Sequence, residues 1–277
     1  MKNILFVTVV LLLSFSLNAQ QSHPVNDIDS ITVPLNNYLS GHIKGDKSIL
    51  GKALHSDGKL SYLRDGKYAK LEFPDYLSRM ELRNLEDGVQ RIPYIKSVEV
   101  TGNVAIAKLV LDYSSIFFTD YMTLLKINGE WKITNKIAYA VRDPQNNKAE
   151  SANIIEVMEP IKRYIQTYKT GDSEFLTAVF HNEAKIMSST KGQFNTLTLK
   201  RFSESFKHLT AKGDVMLNHT IQSIDATGNV AVGKVIFHYP HSTITHYLSL
   251  IKIAGEWKIV NDAFDFSELG ANLDVLK

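Results

Sequence analysis

The chain contains no cysteine. That excludes disulfide staples, thiolate metal sites, iron–sulfur clusters and nucleophilic thiols, and it leaves stability to packing alone. Charge of one sign is missing too: 31 Lys and Arg stand against 29 Asp and Glu, with no basic or acidic block. Neither a nucleic-acid surface nor an anionic-membrane anchor is implied. No glycine-rich phosphate loop, Gly-x-Ser-x-Gly elbow or His-Glu-x-x-His occurs in the sequence. Long apolar runs are confined to the first residues, and even that run is shorter than the roughly 20 residues that span a bilayer.

Those first residues read as an export signal, residues 1–20. Lys2 makes the positive start, residues 4–13 the apolar stretch, and Leu17-Asn18-Ala19 a small-residue exit. Without a cysteine there is no lipid attachment site, so the expected destination is the periplasm or the exterior, with no membrane span after signal removal.

What is present is a repeat. Residues 101–135, TGNVAIAKLVLDYSSIFFTDYMTLLKINGEWKITN, return as residues 227–261, TGNVAVGKVIFHYPHSTITHYLSLIKIAGEWKIVN. The same step of 126 separates Thr101 from Thr227 and Trp131 from Trp257, the only two tryptophans. A step this long is a domain, not a solenoid unit. The expected organisation is copy one over 27–142, a polar linker over 143–150, and copy two over 151–268.

Within each copy the period is first helical and then strand-like. Ile31, Leu35, Tyr38 and Leu39 recur on one helix face, with Pro34 expected in a first turn. Gly45-Asp46 and Gly171-Asp172 suit a helix stop followed by an N-cap. A second helix ends near His55 or His181, a turn at Gly66 or Gly192 follows, and a third helix is expected over 73–85 and 199–209. From Ile95 alternation takes over, giving a four-stranded antiparallel meander. Helices first and strands after make an α+β unit with one sheet face covered.

Alternation also assigns faces. Ala105, Ala107, Leu109, Leu111, Tyr113, Tyr121, Thr123, Leu125, Trp131, Ile133 and Asn135 are expected to face the helices. Lys108, Lys126 and Lys132 fall opposite, together with Val104, Ile106, Val110, Met122 and Leu124, and in copy two Val230, Val232, Ile236, Leu248 and Leu250. An apolar band of that size marks an interface. It is expected to pair copy one with copy two inside the chain, or chain with chain as a homodimer, bringing Asp112 and Asp120 near His238 and His246.

The helix–Gly-Asp–helix–Ala-Leu-His opening, Thr-Gly-Asn-Val-Ala, and DYMTLLKINGEWKITNK over residues 120–136 together resemble the nuclear transport factor 2-like superfamily. Within it they are most similar to the bacterial "putative lumazine-binding" branch, which overlaps the SnoaL-like group. The resemblance covers both copies. It implies two tandem cystatin-like cones, each three helices on a curved antiparallel sheet with a pocket at the open end. That superfamily holds isomerases, dehydratases, cyclases and hydrolases as well as binders, so fold does not decide activity.

Candidate pocket residues are His55, Tyr113, Tyr121 and Asn135, matched by His181, Tyr239, Tyr247 and Asn261. Tyrosine offers an apolar body with one hydrogen-bonding tip, suited to a small apolar or aromatic ligand; the same residues also serve as core whose hydroxyls reach the rim. A histidine after a helix can act as acid or base, or simply satisfy the helix's last carbonyls. Two functions follow. One is a noncatalytic binding protein without cofactor; the other is a cofactor-free lyase or isomerase with His181 as base and Tyr239 or Tyr247 polarising a carbonyl. No metal is expected, because His238, His241 and His246 do not repeat one strand face and no carboxylate follows at ligand spacing.

Overall fold

The computed structural model describes residues 24–82, 89–142, 152–209 and 216–268. The expected export signal and linker lie outside them. The repeat is visible as two units built alike. In the first, α1 (Pro24–Lys44) and α2 (Lys47–Ala53) precede β1 (Leu54–Arg64), β2 (Lys67–Glu72) and α3 (Phe73–Ser78). Then come β3 (Ile92–Thr101), β4 (Val104–Asp112), β5 (Ile116–Ile127) and β6 (Glu130–Arg142). The second repeats this as α4 (Ile154–Thr170), α5 (Glu174–Val179), β7 (Phe180–Thr190), β8 (Gln193–Thr198), α6 (Leu199–Leu209), β9 (Asn218–Thr227), β10 (Val230–His238), β11 (Ser242–Ile253) and β12 (Glu256–Glu268).

Each sheet has six strands, ordered β2-β1-β6-β5-β4-β3 and β8-β7-β12-β11-β10-β9. The meander is antiparallel as expected, but the hairpin before α3 extends it, with β1 running parallel to β6 and β7 parallel to β12. Two-residue turns with left-handed backbone at Asn128-Gly129 and Ala254-Gly255 close the β5–β6 and β11–β12 hairpins, the geometry whose twist suits antiparallel strands. Asp46 caps α2, its Oδ1 accepting from the backbone N–H of Ser48 at 2.8 Å and of Ile49 at 3.2 Å. Those bonds hold its carboxyl below the usual range.

Two sequence expectations shift here. Pro34 lies inside α1 rather than in its first turn, because the helix begins at Pro24. The third helix of copy one is short, ending at Ser78.

Helices and sheet enclose one core per unit. Ile31, Leu35, Tyr38, Leu109, Met122 and Leu124 belong to the first, and Val157, Ile161, Tyr164, Val235, Leu248 and Leu250 to the second. A third core joins the units: Val104, Ile106, Tyr121, Leu125 and Ile137 pack with Val230, Val232, Tyr247, Ile251 and Val260. The expected face of β4 holds, but β5 is out of phase. Val104 pairs with Leu125 and Lys108 with Tyr121. Paired residues share a face, so even-numbered side chains of β4 lie beside odd-numbered ones of β5. Met122 and Leu124 therefore face the helices, while Tyr121 and Leu125 face the other unit. Lys126, paired with Trp131, goes to the helix side and bonds Asp27 at 2.7 Å, whereas Lys132, paired with Leu125, keeps the expected opposite face and donates to the Lys52 carbonyl at 3.0 Å.

The contact between the units is isologous. Lys108 pairs with Asp225 at 2.9 Å and Lys234 with Glu99 at 2.7 Å. The Tyr121 hydroxyl meets Thr227 at 3.0 Å, and that of Tyr247 meets Thr101 at 3.1 Å. Lys59 donates to the Glu183 carbonyl at 2.6 Å, and Lys185 to that of Asp57 at 2.8 Å.

Lys59 is fully buried, and burial, with Lys185 nearby, holds its pKa down at about 7. A base whose folded pKa is depressed costs stability wherever the unfolded chain is protonated. The cost is complete below the folded value and fades as pH rises toward the ordinary one. Lys59→Met removes it, at the pH-independent expense of an unbonded carbonyl. The stability difference between variant and wild type should therefore move in the wild type's favour between about pH 6 and about pH 9.5. Urea midpoints at the two values check this; a difference independent of pH would contradict it.

Candidate functional site

The first unit's cone contains a cavity of about 400 Å³. Tyr62, Leu71, Leu111, Tyr113 and Phe118 line its walls, and Asp120 and Lys136 lie at its polar floor with His42 and Tyr76 beside them. The helix period places Tyr38 and His42 on one face of α1, four residues apart. A β-bulge supplies the lysine. On β6, Ile133 pairs with Leu124 but Asn135 pairs with Thr123, so Thr134 is an extra residue. Beyond it every side chain changes face: Lys136 and Ala138 turn inward, and Asn135 and Ile137 turn to the other unit.

Asp120 and Lys136 are both buried and meet at 2.8 Å. The Tyr38 hydroxyl donates to Asp120 Oδ2 at 2.9 Å and accepts a short bond from Lys136. Burial is the largest single influence and opposes charge on the lysine, yet Asp120, together with Tyr76 and Tyr113, outweighs it and raises the ammonium's pKa. Burial, then Asp120, pushes the Tyr38 phenol well above its ordinary value. His42 Nε2 and the Tyr76 hydroxyl share a 2.6 Å hydrogen bond. Asp120 Oδ1 has no hydrogen-bond partner among the described residues.

The equivalent floor in the second unit is rebuilt with its acid on the other strand. His246 stands at the place of Asp120, and Asp262 at that of Lys136. Their closest contact is 2.9 Å, and the Tyr164 hydroxyl donates to Asp262 at 2.6 Å. Contact of Nδ1 with both carboxylate oxygens assigns the ring proton to that nitrogen. Here larger rings crowd the space above. Phe237 replaces Leu111, Phe264 replaces Ala138 and Tyr168 replaces His42; the Tyr168 and Phe237 rings lie 4.2 Å apart, and Phe264 stacks on His246 at 5.3 Å.

Of the residues singled out from the sequence, Tyr113 lines the first cavity. Tyr239, its counterpart, packs against the second core. The others are elsewhere. Tyr121 and Tyr247 belong to the core between the units because of the β4–β5 pairing. Asn135 is turned the same way by the bulge and donates to Ser249 at 3.1 Å. Asn261 donates to the Lys185 carbonyl at 2.9 Å.

His55 and His181 do not end helices; α2 and α5 stop before them, and both are already in β1 and β7. His55 packs on Phe194 at 4.2 Å and His181 on Tyr68 at 3.9 Å, each on the opposite unit. Burial lowers both pKa values. His181 therefore does not converge with Tyr239 or Tyr247 on one cavity. Asp120 and His246 do not approach each other as expected; each pairs within its own cone. Asp112 accepts from the Ser114 N–H at 2.9 Å, and His238 meets Thr220 at 3.3 Å.

The sequence reading overlooked Tyr38, His42, Tyr76 and Lys136 as site residues. One signal was available: between copies, positions 120 and 136 change together from Asp and Lys to His and Asp, which suggests partners on adjacent strands. Among the described residues no group of three His, Asp or Glu is arranged to hold a metal, and no helix is long and apolar enough to cross a membrane.

The family described as "Putative lumazine-binding" matches twice, over residues 26–139 and 152–265. The chain belongs to this family. It is also similar to an NTF2-like protein of unknown function from Shewanella baltica OS155, at 21% identity and a TM-score of 0.39 over 44% of this chain and 99% of that one. A second NTF2-like protein, from Methylobacillus flagellatus KT, shows 27% identity and a TM-score of 0.38 over 43% and 96% of the two chains. A protein with a cystatin-like fold from Nostoc punctiforme PCC 73102 shows 13% and 0.36 over 43% and 95%. No curated protein matches the chain.

Proposed function

We propose that this is an exported, noncatalytic binding protein that holds one small flat molecule per chain, in the cone of its first unit. One observation carries the reading: a cavity over a buried ion pair in the first unit, where the second unit sets the larger rings Phe237, Phe264 and Tyr168 at the equivalent positions. The floor also favours a ligand chemistry. Asp120 Oδ1 is a buried acceptor without a donor, and an ionised carboxylate can only accept. Lys136 has three N–H donors, two of them directed to Asp120 and Tyr38. An acceptor beside a donor is complemented by N–H beside C=O, the edge of a cyclic amide, and the aromatic walls suit a planar body. The family's name supports the same choice, since lumazine is a fused bicycle with cyclic-amide edges.

Proton transfer is not what this floor is built for. Asp120 and Lys136 neutralise one another, and the Tyr38 phenol is held far from neutrality. Calorimetric titration with 2-quinolinone, quinoline and 2-naphthoate tests the reading. The lactam should bind once per chain, and quinoline, whose ring nitrogen can accept from Lys136 but which offers Asp120 no donor, about tenfold or more weakly. Preference for the naphthoate would overturn the lactam assignment. Absence of binding by all three would overturn the reading of the cone.

A further inference from the structure

The first unit's cavity has one wall residue that the first unit does not supply. Asn229, in the turn between β9 and β10 of the second unit, lines it beside Tyr139. The turn sits directly on that tyrosine: a Cβ at Gly228 would lie 2.3 Å from the ring. Its position is fixed from two sides, by the Lys252 N–H donating to the Asn229 carbonyl at 2.8 Å and by Thr227 bonded to Tyr121 at 3.0 Å. Asn229 is only half-buried, and its side-chain amide is engaged by none of the described residues.

The pseudo-equivalent contact shows what is special here. In the other direction the turn at Gly102-Asn103 meets Asp265, which stands where the first unit has Tyr139. There the Asn103 N–H donates to Asp265 Oδ1 at 2.9 Å, and Ser267 donates to Oδ2 at 3.0 Å. That contact is a polar seal between turn and strand. Replacing the carboxylate by a phenol ring removes the seal and leaves the asparagine against an open cavity.

We propose that Asn229 is a ligand-contacting residue of the first cone, so that the site is composite and complete only when the two units are docked. This rests on the cone reading above. An asparagine amide both donates and accepts, so the ligand it suits is polar at both ends: one amide edge for Asp120 and Lys136, and a second polar group for Asn229. Specificity at the outer end then belongs to the second unit.

Lumazine, with two amide edges, and 2-quinolinone, with one, separate the possibilities in calorimetric titrations of the full chain. Asn229→Ala should weaken lumazine about fivefold, the loss of a single hydrogen bond, and leave 2-quinolinone within about twofold. Asn103→Ala, at the equivalent turn, should change neither, because its bond is made by the backbone. Unaltered lumazine binding in Asn229→Ala, with binding abolished in Ala138→Phe, would overturn the composite site and leave the cone reading standing. Lumazine binding indifferent to both substitutions would place the molecule elsewhere and overturn the two together.

Discussion

Asp120→Ala is expected to destabilise the first unit by about 3–5 kcal/mol, the usual consequence of leaving one member of a buried ion pair alone. Lys136 would then be a buried ammonium without a counter-charge, and the Tyr38 hydroxyl would lose the carboxylate to which it donates. Removing both charges with Asp120→Leu and Lys136→Met should cost much less than the single change, since apolar replacement of a whole buried pair is often close to neutral. The pH dependence adds a second check. With Asp120 gone, burial becomes the dominant influence on Lys136 and depresses its folded pKa, so the deficit should shrink as pH rises toward the ordinary lysine value. Urea unfolding of the single and double variants near neutral and at alkaline pH measures both effects. A double variant as unstable as the single one would show that the pair is not the source of the loss.

Leu125→Arg and Leu124→Arg, one residue apart, should fail in different ways. Leu125 is wholly buried in the core shared by the two units, and Leu124 is wholly buried under the helices of the first. An unpaired guanidinium in either place costs several kcal/mol, on the order of 3–5. At Leu125 the cost is avoided by separating the sheets. The expected product is a chain with unchanged far-ultraviolet circular dichroism and a larger Stokes radius in sedimentation. At Leu124 there is no such escape, and the first unit should unfold while the second keeps its structure. Loss of helix and strand signal on Leu125→Arg, with Leu124→Arg tolerated, would mean that the faces of β5 are assigned the wrong way round.

Much of the architecture was legible because the chain states it twice. The 126-residue step, the glycine turns and the switch from helical to strand periodicity are local signals, and local signals survive without knowledge of partners. Faces of strands are not local. Val104 and Ile106 were placed correctly from alternation within β4, but the side on which Tyr121 lies depends on which residue of β4 it pairs with. The extra residue at Thr134 moved Asn135 away from the cone and brought Lys136 into it, and nothing in Ile-Thr-Asn-Lys announces a bulge. His55 and His181 were misread for a related reason: α2 and α5 stop before them, so strand geometry decides their direction. The sequence pattern showed two equal pockets. Only packing shows that Leu111 and Ala138 border a cavity in the first cone and that the larger Phe237 and Phe264 stand at the equivalent places in the second.

That inequality is the centre of the functional reading, and the second copy itself provides the substitutions that test it. Leu111→Phe with Ala138→Phe carries the second cone's filling residues into the first. Titration of lumazine into the wild-type chain and into this double variant is the decisive measurement, with urea unfolding to confirm that the variant folds. The expected result is one site per chain in the wild type and none in a folded double variant. Two equivalent sites in the wild type, or one that survives the grafted phenylalanines, would contradict a ligand held in the first cone.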